Sequence, residues 1–129
     1  MKLASRDQIL NADDLPSTLV PTPEWGKDTG VKVRSLGSVE RDKWDQETYQ
    51  SKTPDMVGLK ARFCALTIVD ENGEQIFTPE DAAQLQRKNS KVIDRIFAEA
   101  AKLNGLLAVN VDDAEKKSEG DPSPAPTGN

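Results

Sequence analysis

The chain has 129 residues, 36% of them hydrophobic and 30% charged, a length that supports one modest core and a composition polar for a globular domain. Its net charge of −5 argues against an electrostatic grip on nucleic-acid phosphates or on an anionic membrane. Histidine is absent and Cys64 is the single cysteine, which removes imidazole-based catalytic triads in their usual forms, an intramolecular disulfide and a cysteine zinc site.

The opening MKLASRDQIL lacks the apolar centre of a secretory signal, and no apolar run approaches the ~20 residues that span a bilayer. A reducing, cytosolic setting is expected. Ser5 and Gln8 have the spacing of a capping box, which predicts a short helix from about Arg6 to Ala12. Pro16, Pro21 and Pro23 follow; each lacks an amide donor, so a strand over Thr18–Val20 belongs at a sheet edge. Val31-Lys32-Val33-Arg34 alternates with the period of a strand that has one wet face. The intervening EWGKDTG suits a hairpin loop, which predicts a small antiparallel hairpin over residues 18–36. A two-stranded hairpin alone is marginal in water and has to pack on the helices.

Ser38 is expected to cap a polar helix over VERDKWDQETYQ, with Glu40 in the first turn. Thr53-Pro54-Asp55 predicts the start of the most apolar helix, with Met56, Leu59, Phe63 and Leu66 on one face and Val57, Cys64 and Ile68 widening it. Two endings are open for it: Thr67–Val69 pairs with Gln75–Phe77 across the Asn72-Gly73 turn, or the helix runs on to Val69. Thr78-Pro79 begins a short helix to about Lys88. Asn89-Ser90 begins a longer one, whose Val92, Ile93, Ile96, Phe97, Ala100 and Leu103 form a 3.6-residue stripe closed by Asn104-Gly105. A last helix is expected over Val111–Lys117. SEGDPSPAPTGN carries no apolar anchor and is expected to be a disordered acidic tail over 118–129, leaving 1–117 as a single domain.

Few side chains offer chemistry. Cys64 falls inside an amphipathic helix, as a buried hydrophobe does. DENGEQIFTPED fails as a calcium loop, since glycine stands at its fourth position instead of its sixth. Asp13-Asp14 and Asp112-Asp113 lie in polar segments that are expected to be solvated surface, not a paired-carboxylate site. Arg87, Lys88, Lys91 and Arg95 form a basic patch that reads as a wet helix face, with no aromatic to stack a base. Trp25 has two readings, a ring closing the open side of the hairpin or a partly exposed anchor for a protein partner.

Four phrases in order resemble the tail assembly chaperones of long-tailed (siphovirus-type) bacteriophages. RDQILNADDLPSTLVPTPEWG resembles that family's opening, VKVRSLGSVERDKW its next segment, ARFCALTIVDENGEQIFTPED its centre and VIDRIFAEAAKLNGL its last helix, together covering roughly residues 6 to 117. The chain departs from the pattern by inserting Pro21-Thr22 and Lys27-Asp28-Thr29 around the tryptophan.

The resemblance implies a non-enzymatic assembly factor without cofactors, acting in the cytoplasm of the infected bacterial host and absent from the mature virion. Its implied partners are the tape measure protein and the major tail tube protein, together with self-association, and no nucleic acid or membrane. It also implies a longer product made by ribosomal frameshifting, with Lys116-Lys117 as a compatible slippery site. The expected fold is α+β and mainly helical, with the 18–36 hairpin packed on four to five short helices. The partner-binding candidates are Trp25, Val31, Val33 and Trp44. Two other classes stand beside this reading. One is a structural virion component, such as a minor head–tail connector or tail tube accessory protein. The other is a small enzyme working through paired carboxylates.

Overall fold

Alternating side chains in two short segments build the sheet on which the rest of the chain is arranged. In a computed structural model, which describes residues 1–50, 52 and 56–106, β1 (Ser17–Pro21) pairs antiparallel with β2 (Gly30–Arg34). The register sets Val20 opposite Val31 and Thr18 opposite Val33. β3 (Ile68–Val69) pairs on the other side of β2, with Ile68 opposite Val33, so the order is β1-β2-β3 and the proline-flanked β1 lies at the edge. Gly30 allows the close approach at the mouth of the hairpin: a Cβ there would sit 2.9 Å from the Val20 carbonyl oxygen.

Val20, Val33 and Ile68 are buried on one face of this sheet, where α5 (Ser90–Leu103) packs. The stripe expected from the sequence is the stripe observed, and Val92, Ile93, Ile96, Phe97, Ala100 and Ala101 are all buried. Asn89 caps this helix by accepting from the Lys91 amide at 2.9 Å, and Gly105 takes the left-handed conformation after it. α3 (Leu59–Thr67) lies against α5 and carries Phe63, Cys64 and Ala65 into the core. α2 (Ser38–Tyr49) is polar and buries only Trp44 and Thr48. Its indole meets the Phe63 ring at 4.9 Å between centroids, and Phe63 meets Phe97 at 5.6 Å, so one aromatic run joins α2, α3 and α5. Thr78 and Asp81 form a capping box around the single turn Pro79–Asp81, which leads into the one-turn α4 (Ala82–Leu85). α1 (Arg6–Asn11) has the expected Ser5–Gln8 capping box but buries nothing.

Among the boundaries that differ from expectation, α4 ends at Leu85, not near Lys88. Gly37, not Ser38, is the cap of α2, because the Glu40 carboxylate reaches back to the Gly37 amide at 3.2 Å. α3 begins at Leu59, not near Asp55: Gly58 is left-handed at φ 74° and breaks the helical path, so Met56 and Val57 stay outside the helix and exposed. Of the two endings open for α3, the pairing across the Asn72-Gly73 turn holds in part, at Val69 and Gln75, and the helix running on to Val69 does not. The helix stops at Thr67, Ile68 and Val69 pair with β2, and Val69 also bridges Gln75 across a turn in which Gly73 is left-handed and Asp70 accepts from the Asn72 and Glu74 amides. The expected Thr53-Pro54-Asp55 start, the Val111–Lys117 helix and the 118–129 tail lie outside the described residues.

Candidate functional surface

The hairpin loop is held from within and from α5. The Thr29 hydroxyl lies 2.8 Å from the Thr22 carbonyl and 2.7 Å from the Gly26 carbonyl and donates its one proton to either, closing the single turn Pro23–Trp25. From α5, Arg95 donates to the Pro21 carbonyl at 3.0 Å and to both oxygens of Glu24 at 2.9 and 2.7 Å. A two-pronged guanidinium–carboxylate pair of this kind fixes orientation as well as distance. The hydrogen bond from Arg95 holds the Glu24 carboxyl at a pKa of about 2. Arg95 is therefore committed to the loop and leaves the basic patch to Arg87, Lys88 and Lys91.

A second clamp closes the far end of the sheet. Asn104 Oδ1 accepts from the Leu36 amide at 2.7 Å, its Nδ2 donates to the Ala100 carbonyl at 2.8 Å, and its own carbonyl accepts from Arg41 at 2.9 Å. Beside it, Arg34 pairs with both oxygens of Glu40 at 2.9 and 2.8 Å, which keeps that carboxyl below the usual range. These groups serve structure, joining the end of β2 to α2 and to the end of α5.

Of the four predicted partner-binding residues, the structure separates one from the rest. Trp25 stands on the loop at 36% exposure. Val31 is half-buried against the core. Val33 and Trp44 are interior at 0% and 5% exposure, the first under α5 and the second against Phe63. Burial, with the negative charge of Asp94 adding to it, pushes the Cys64 thiol up to about 12, so the thiolate needed for reactivity is suppressed. Among the described residues, no group of three or more acidic or cysteine side chains is placed to hold a metal ion, and no helix is long and apolar enough to cross a membrane.

Two concavities have mainly apolar walls. One, of about 300 Å³, lies between α2 and the Gln75–Ala82 segment, with Trp44, Thr48 and Leu66 in its wall. The other, about 460 Å³, is an open apolar groove where the approach to α3 meets α4 and the start of α5. Met56, Val57, Leu59, Leu85 and Ile93 line it, with Lys60, Lys88 and Asp94 at its rim. The apolar spacing of the sequence sets Met56 and Val57 on the core stripe, whereas the structure leaves both exposed. Gly58 inside that apolar pattern was the available signal of a break.

Comparison with known proteins agrees with this architecture. The family model described as phage tail assembly chaperone matches residues 6–117. The solved structure of the bacteriophage HK97 tail assembly chaperone is similar with a TM-score of 0.54 at 17% sequence identity, over 75% of this chain and 94% of that one. Functionally curated proteins yielded no match. With the family pattern extending from the first turn of α1 past the end of α5, the chain belongs to the phage tail assembly chaperone family.

Proposed function

We propose that this protein binds the tape measure protein and helps recruit tail tube subunits while a phage tail is built, acting without catalysis in the cytoplasm of the infected host and leaving before the virion is complete. The family match over residues 6–117 carries the reading. The surface supports it: Trp25, Met56 and Val57 offer apolar contact on a chain of net charge −5. Trp is the residue type most enriched among binding hot spots, and an open apolar groove suits an apolar helix face. Self-association while bound to the tape measure belongs to the same proposal, and so does a longer frameshifted product reading past Lys116-Lys117.

Co-expression tests it. With this chain present, the tape measure protein encoded by the same phage is expected to stay soluble and to co-purify with it. Failure of two folded proteins to co-purify, in the presence and absence of tube subunits, would overturn the proposal. Mass spectrometry of purified particles addresses the virion-component alternative: a stoichiometric amount of this chain in virions would replace the chaperone reading.

A further inference from the structure

The junction of α4 and α5 carries positive charge that the described fold leaves unpaired. Arg87 and Lys88 follow α4, and Lys91 lies in the first turn of α5. All three are exposed, and among the described residues none of them is in an ion pair. From residue 82 to residue 93 there is no acidic side chain. Two acids flank this stretch. Asp81, preceded by Glu80, accepts from the Thr78 amide at 2.9 Å, and Asp94 pairs with Lys60 at 3.1 Å. The first turn of α5 thus holds a lysine and no acid, although the helix dipole favours an acid there. An anion placed at this junction gains from the dipole as well as from the three cations.

The same chain carries a segment of opposite charge within reach. Residues 107–129 lie outside the described residues, and the chain enters them beside Ala101, whose carbonyl accepts from the Leu106 amide at 2.9 Å. Lys91 is about 15 Å back along α5 from that point. The chain from Leu106 to Asp112 spans up to about 20 Å when extended, and to Glu115 up to about 30 Å. Asp112, Asp113 and Glu115 are three acids with no cation among residues 107–115; Lys116 and Lys117 come after them. Residues 107–111, which would pass along α5, are uncharged, and α5 offers that stretch Glu99 and Lys102, one charge of each sign.

We infer that Asp112, Asp113 and Glu115 dock on Arg87, Lys88 and Lys91 of their own chain. The tether favours this over a second copy, because a short linker holds the two groups at an effective concentration in the millimolar range. Exposed pairs of this kind are individually weak, so the contact is an equilibrium that salt shifts. Lys88 also stands on the rim of the apolar groove, so the docked segment lies at one side of its mouth.

The test is paramagnetic broadening in the full-length chain carrying Ser118→Cys and a nitroxide label. Cys64 is fully buried with its thiol pushed up to about 12, so the label goes to residue 118. The amides of residues 87–91 are expected to broaden. Asp112→Lys with Asp113→Lys, or Lys88→Glu with Lys91→Glu, is expected to shift the docked-to-free ratio by about tenfold toward free. Both patch residues are exposed, and Lys91→Glu sets an acid where the dipole favours it, so the fold survives. Combining the two pairs of substitutions restores opposite charges and is expected to recover broadening. Raising the ionic strength to about 1 M, where screening acts within about 3 Å, is expected to remove it from the wild-type sequence. Absence of broadening at residues 87–91 overturns the inference, as does broadening that charge reversal leaves unchanged. Broadening of β1 in its place would assign the segment to the sheet edge and overturn it too. Broadening that arises only between a labelled copy and a separate isotope-enriched copy would assign the contact to two chains and overturn the docking within one.

Discussion

Helices α1 and α5 begin in the same way and end up in opposite environments. Each has a polar side chain closing its first turn, Ser5 in one and Asn89 in the other. α5 then buries six residues in the shared core, while α1 buries none. Capping contributes about 1 kcal/mol wherever the residue pattern occurs and does not decide where a helix lies. Position is decided by the stripe: α5 repeats its apolar residues over four turns, and α1 has a single adjacent pair. Local hydrogen bonding thus specifies that α1 can be a helix, and only burial against another surface can make it a populated one.

The sharpest way to test the buried half of this comparison is to remove Phe63. Its ring is fully buried between Trp44 and Phe97, so it holds α2, α3 and α5 at once. Phe63→Ala is expected to cost about 3–5 kcal/mol in urea unfolding, which for a domain of this size is much of the total stability. A loss below about 1 kcal/mol would mean that the aromatic run does not organise the core.

Next in size is Asn104→Ala. The Leu36 amide is part-buried and would lose its acceptor, and the Ala100 carbonyl would lose its side-chain donor. Leaving a buried donor unpaired costs roughly 2 kcal/mol. Asn104→Asp separates the two bonds: it keeps the acceptor for Leu36 but loses the donor and sets a negative charge at the C-terminal end of α5, where the helix dipole is unfavourable to it. Asp is therefore expected to rescue only part of the loss. Full rescue would show that the Leu36 contact alone matters.

These two sites also show where the sequence was legible. The aromatic and aliphatic stripe of α5 was visible because its period is local, and the β1–β2 hairpin because alternation and two prolines are local too. Asn104 was legible only as a helix stop, since its bond to Leu36 spans 68 positions and nothing in the composition announces it. Arg95 was likewise assigned to a basic patch, because its partner Glu24 is distant in the chain. Val33 and Trp44 were named as partner-binding residues. Alternation reveals that a strand has two faces but not which one a helix will cover, and a lone Trp on a polar helix looks the same whether it faces solvent or Phe63. The groove was hidden for a different reason: Gly58 ends a helical pattern that the apolar spacing alone would have continued through Met56 and Val57.

A smaller effect is expected where α5 holds the Trp25 loop. Glu24 is ordinarily a group of pKa 4.5, and in the folded protein it lies at about 2 because Arg95 donates to it. The depressed value means that the ion pair contributes fully above 4.5 and loses that contribution as pH falls toward 2. The pair is solvent-accessible, so screening keeps its effect on global stability small. The informative measurement is local. Protection of the Thr22, Trp25 and Thr29 amides, which are bonded within the loop, is expected to fall across that acidic window relative to α5 once the intrinsic pH dependence of exchange is divided out. In Glu24→Gln the loop amides are expected to be less protected at neutral pH and to show no acid-dependent step there. An unchanged step in the variant would assign it to another carboxylate.

The smallest expected effect bears on the exposed half of the comparison. Ile9→Ala combined with Leu10→Ala removes two large exposed side chains from a helix that buries none of its residues, so the unfolding free energy of the dilute monomer is expected to stay within about 0.5 kcal/mol of wild type. Alanine is also the best helix former, so a change in α1 cannot be blamed on propensity. A loss comparable to that of a core truncation would show that the arm is packed within its own chain. If the monomer is unaffected but its assemblies are weakened, apolar residues that contribute nothing to the fold of one copy are carried for contact with another.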